Sequence, residues 1–147
     1  MNTSEIHRSL QAFVFRPGEV TTSWEVLERL KALAKDDPRR INMRAFLYTR
    51  DDALPPDAFK WPECGTVGCL SGWVSILLRH KEHDLPSVEE ALGLTFSTGS
   101  HELFYPSWYH SATQYNTRTI QQVLDHITQF QAKYEQQLRS HRVEVSR

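Results

Sequence analysis

The stretch 66–80, TVGCLSGWVSILLRH, is apolar around most of a helical circumference, and nothing else in the chain constrains the fold as strongly. Val67, Leu70, Val74, Leu77 and Leu78 recur at helical spacing along one face, and Cys69, Trp73 and Ile76 widen that face. A helix with so little polar surface belongs in the middle of a fold, packed from several sides. Thr66 fits its N-cap, which sets Cys69 at the third helical position. Gly68 and Gly72, one turn apart, leave a groove where another backbone can approach closely.

The elements expected around it are helical too. Thr22 and Glu25 fit a capping box, and Val26, Leu27, Leu30, Leu33 and Ala34 follow with helical period. With Asp36-Asp37-Pro38 as the stop, this predicts a helix over about 23–35. Ile41 to Tyr48 reads as a short helix or a brief strand, and the Pro-rich stretch 51–63 reads as a loop. Ser87 and Glu90 form a second capping box, with Gly93 closing a short helix. His101 to Tyr105 makes one helical turn. The longest helix is expected over about 117–139, where Ile120, Val123, Leu124, Ile127, Phe130, Tyr134 and Leu138 form an apolar stripe on a Gln-rich rod. Residues 1–20 read as a short helix or as an arm docked on the core.

The expected fold is therefore mainly α: a single domain over 1–147, with about five helices around the buried central helix at about 66–80 and a long C-terminal helix. No strand series stands out. The 147 residues suit one domain, and 39% hydrophobic with 11% aromatic residues is enough for a core. With 17 basic against 18 acidic residues the net charge is -1, which disfavours a nonspecific nucleic-acid binder. The longest apolar run is too short for a bilayer, and the first residues carry no export pattern. A cytoplasmic protein is the resulting expectation.

At Cys64-Gly65-Thr66-Val67-Gly68-Cys69-Leu70-Ser71-Gly72-Trp73 the chain resembles a family of small uncharacterised bacterial and phage-borne proteins with a C-G-T-x-x-C-[IL]-x-G-[WH] signature. The likeness takes in Asn42-Met43-Arg44-Ala45-Phe46 upstream and Leu92-Gly93-Leu94, Leu103-Phe104 and Trp108 downstream. Ser71 stands where many relatives have Ala. The resemblance implies kinship with phage or mobile-element accessory proteins and carries no activity with it.

The residues that bear on chemistry leave several readings open. Cys69 packs as a small hydrophobe and Cys64 fills a pocket before the helix on the simplest reading. On a second, Cys64 is a nucleophile activated by the helix N-terminus, with His110 or His101 as base. On a third, the two cysteines form a disulfide or share a metal, although their offset fits neither C-x-x-C nor the usual zinc spacing. His80 and His83, at the end of the central helix, are charges that suit the helix dipole. Phe104, Tyr105, Trp108 and Tyr109 are aromatic candidates for a partner contact, beyond the packing role such residues usually fill. Arg40 and Arg44, between Arg39 and Arg50, form a basic cluster that neighbouring Asp36, Asp37, Asp51 and Asp52 offset.

No P-loop, dinucleotide fingerprint, zincin pair or nucleophile elbow occurs. The leading expectation is a non-enzymatic protein-interaction or accessory protein with a protein partner, or a second copy of itself, and with no cofactor or metal. The alternatives are a hydrolase-like enzyme using Cys64 and a nucleic-acid binder using the 39–50 basic cluster.

Overall fold

The computed structural model describes residues 10–36, 47–48, 67–68, 70–81, 85–95, 99, 101–104 and 120–147. In chain order these form β1 (Val20–Thr22), α1 (Ser23–Asp36), β2 (Leu47–Tyr48), β3 (Val67–Gly68), α2 (Leu70–Leu77), α3 (Leu85–Leu92), α4 (His101–Phe104), α5 (Ile120–Lys133), α6 (Glu135–Ser140) and β4 (Arg142–Glu144). The fold is mainly α, as the periodicities predict. No helix among the described residues is long and apolar enough to cross a membrane.

All eight residues of α2 are buried. The helix is shorter than its apolar run because Val67–Gly68 leaves it to pair antiparallel with Leu47–Tyr48. That ladder also settles the ambiguity at 47–48 in favour of a strand. At the other end Arg79 takes φ 58, and the amides of Arg79 and His80 bond the carbonyls of Ile76 and Ser75, a Schellman stop built on a non-glycine residue. A buried helix C-terminus needs acceptors satisfied. Here both flanks of the chain supply the donors. Phe15 N–H reaches the Leu77 carbonyl at 3.1 Å, and Ser146 N–H reaches Leu78 at 3.1 Å.

The N-terminal segment docks as an arm over its described part: Leu10, Val14 and Phe15 are buried. Arginines from two helical regions hold it. Arg79 Nε donates to the Phe15 carbonyl at 2.7 Å, and Arg29 Nη1 donates to Phe13 at 2.8 Å while its guanidinium lies 4.3 Å over the Phe15 ring.

Helix α1 shares the centre of the fold with α2, and α2, α5 and α6 all pack on it. Its expected cap forms, with Glu25 N–H bonding Thr22 Oγ1 at 3.2 Å. The next residue, Ser23, is buried and donates its hydroxyl to the Leu92 carbonyl at 2.8 Å, tying α1 to the end of α3.

Three further features differ from expectation. Helix α3 begins at Leu85, so Ser87 lies inside it and does not cap it. Gly93 does end it, at φ 71, with Gly93 N–H on Glu90 and Leu94 N–H on Glu89. The long C-terminal helix is two helices that meet at Tyr134, whose φ -116 and ψ 27 are not helical. Hydrogen bonds cross the break from Tyr134 N–H to Phe130 and from Leu138 N–H to Tyr134. Finally, β4 returns to pair antiparallel with β1, Val20 opposite Glu144 and Thr22 opposite Arg142. The sequence, in which no strand series stands out, gave no sign of this long-range ladder.

Candidate interaction surface

Most of the residues singled out in the sequence lie outside the described residues: Cys64, Cys69, His83, His110, Tyr105, Trp108, Tyr109, Arg40 and Arg44. Phe104 is described, and at 3% exposure it packs in the core cluster with Leu103 and Phe130. His101 opens α4. Among the described residues no group of three His, Cys, Asp or Glu is placed to hold a metal ion.

Two clusters of polar side chains stand out. The first surrounds Glu102 on α4. Its carboxylate accepts from the Tyr134 hydroxyl at 2.7 Å and from Lys133 Nζ at 3.0 Å. The Tyr134 hydrogen bond, with Lys133 next, holds the Glu102 carboxyl below its usual range, and the same contact pushes the Tyr134 hydroxyl and the Lys133 ammonium up. His126 Nε2 donates to the carbonyls of Glu102 and Leu103 at 3.1 and 3.2 Å. Every group here is engaged by its neighbours, so the cluster clamps α4 to α5 at the bend of the C-terminal helices.

The second is an open cleft of about 800 Å³ between α3 and the C-terminal strand. One wall carries His80, Lys81, Ser87 and Glu90, and the other carries Arg142, Glu144, Ser146 and Arg147. The strand wall follows from local sequence. In Arg142-Val143-Glu144-Val145 the valines are buried, at 1% and 3%, while the charged side chains stand out at 70% and 73% exposure. That is the period of a strand with one wet face. His141 fixes where the strand starts: its Nε2 lies 3.1 Å from the Ala91 carbonyl, which can only accept, so Nε2 carries the proton. Beneath the ring is Gly93, where a Cβ would lie 2.5 Å from His141 Nδ1.

Backbone direction along β4 decides what the cleft offers. Ser23 N–H bonds the His141 carbonyl at 3.1 Å, and Val145 N–H bonds Glu19 at 2.8 Å. Residues 141, 143 and 145 therefore turn their backbone groups toward β1, and residues 142 and 144 turn theirs to the opposite edge. On that edge Ser146 N–H is taken by Leu78. The N–H and C=O groups of Arg142 and Glu144 bond nothing among the described residues. The cleft thus borders an open strand edge with two donors and two acceptors in register.

No motif pointed to this edge. The alternation in 142–145 is a readable strand signal, yet it is only four residues long and its pairing partner lies near the other end of the chain. No family model matches the chain, and neither any curated protein nor any solved structure matches it.

Proposed function

We propose that this chain is a non-catalytic protein-interaction module that binds an extended segment of a protein by strand addition to β4. The observation that carries the reading is the unpaired edge at Arg142 and Glu144 beside an open cleft. Exposed strand edges are templates for pairing, and main-chain bonds supply affinity while flanking side chains select the segment. Four aligned backbone groups fit two residues of an incoming strand. The mixed charges along both walls suit a polar segment better than an apolar one. From the resemblance at Cys64–Trp73, the setting we assign is that of a cytoplasmic accessory factor of bacterial or phage origin.

A proline at position 144 tests this without disturbing the core. The Glu144 N–H points away from β1, so Glu144→Pro removes an outward donor and leaves the β1–β4 ladder its own bonds. Linear peptides selected from a random display library on the wild-type protein should lose binding to the variant, while its thermal melt stays close to that of wild type. Selected peptides that bind both proteins equally contradict strand addition at this edge.

A further inference from the structure

The charges on β4 read the same way in both directions of an antiparallel pairing, and we infer that the strand this edge accepts is β4 of a second copy of the chain. This rests on the strand-addition reading and names its partner. If two β4 strands meet antiparallel with Val143 opposite Val143, Arg142 faces the partner's Glu144 and Glu144 faces the partner's Arg142. Both residues turn their backbone groups outward, so each facing pair exchanges two N–H···O=C bonds. All four unpaired groups are then satisfied, with none left over. Any shift by one residue would set outward-facing groups against groups already committed to β1.

The side chains agree with the backbone. Arg142 and Glu144 lie on the same exposed face of the ladder, with Arg142 Nη2 3.7 Å from Glu144 Oε1. In the dimer the same two charges are exchanged between strands, and opposite charges directly across a pair are favourable while like charges are not. The two-fold operator gives every contact twice, which is the economy of an isologous interface. The result is a four-stranded sheet in the order β1-β4-β4-β1, closing one open edge on each copy. Within the cleft, Lys81 and Glu90 on the far wall flank the incoming strand with charges of both signs.

Charge reversal tests the register itself. Wild-type protein should show a monomer–dimer equilibrium in sedimentation velocity over a concentration series. Arg142→Glu places two glutamates opposite two glutamates, and Glu144→Arg places arginine opposite arginine. Each single reversal should weaken dimerisation roughly ten- to a hundredfold, since two like-charged pairs arise per dimer. An equimolar mixture of the two variants should dimerise again, and so should the double variant carrying both reversals. Both side chains are exposed, so the variants retain the fold. A wild-type protein that is monomeric throughout overturns the inference, and so does a dimer indifferent to the reversals. Neither outcome touches strand addition by a different partner, which the peptide selection with Glu144→Pro decides separately.

Discussion

Replacing Gly93 with alanine should cost the fold about 3–5 kcal/mol, the sum of a strained backbone and a displaced ring. Gly93 closes α3 at φ 71, a conformation in which a side chain is disfavoured by about 1–3 kcal/mol. The added Cβ would also lie 2.5 Å from Nδ1 and 2.6 Å from Cε1 of His141. That ring cannot simply swing aside, because Nε2 is bonded to the Ala91 carbonyl and the residue leads directly into β4. Urea unfolding should show a lower midpoint with an unchanged slope. A loss below about 1 kcal/mol would mean that His141 moves freely and that the cleft wall is not set by the end of α3.

A loss of similar size, about 3–5 kcal/mol, is expected for Trp73→Ala. Trp73 is 1% exposed on the helix that has no outward face, so its removal leaves a cavity that rigid neighbours on several sides cannot fill. Trp24 makes the contrast. It is half-buried beneath the Arg139 guanidinium, 3.8 Å from the ring centre, and solvent can reach the space it would leave. Trp24→Ala is therefore the milder change, and urea midpoints of the two variants measured side by side rank the sites. Equal losses would contradict the placement of α2 at the centre.

These two positions also mark what could be read from the sequence. The burial of α2 was legible because between Leu70, Trp73, Val74, Ile76 and Leu77 only the small Ser71, Gly72 and Ser75 remain, and α1 was legible from Thr22, Glu25 and the leucines that follow. Both are local patterns. The start of α2 was not, because Val67–Gly68 is drawn into a ladder with Leu47–Tyr48, and a capping threonine cannot reveal that competition. Nor was the stop at Arg79, where an arginine occupies the conformation that usually marks glycine and is held there by its bond to Phe15.

The proposed interaction surface was illegible for a deeper reason. Aromatic and basic side chains drew attention to 104–109 and 39–50, most of which lie outside the described residues, whereas the proposed surface is defined by backbone groups. Which amides of β4 point outward depends on the register with β1, fixed by bonds such as Ser23 to His141 between residues far apart in sequence. Residue identity enters only afterwards, through the exposed Arg142 and Glu144 on either side of buried Val143.

The open edge of β4 is the premise of the functional account, and residue-resolved amide hydrogen exchange on dilute protein tests it most directly. The amides of Val143 and Val145, bonded within the ladder, and that of Ser146, bonded to Leu78, should be protected. The amides of Arg142 and Glu144 should exchange rapidly in the same sample and gain protection as the protein is concentrated or a selected peptide is added. Protection of Arg142 and Glu144 in the dilute, unliganded monomer would mean that the chain already covers this edge itself, and strand addition to β4 would have to be abandoned.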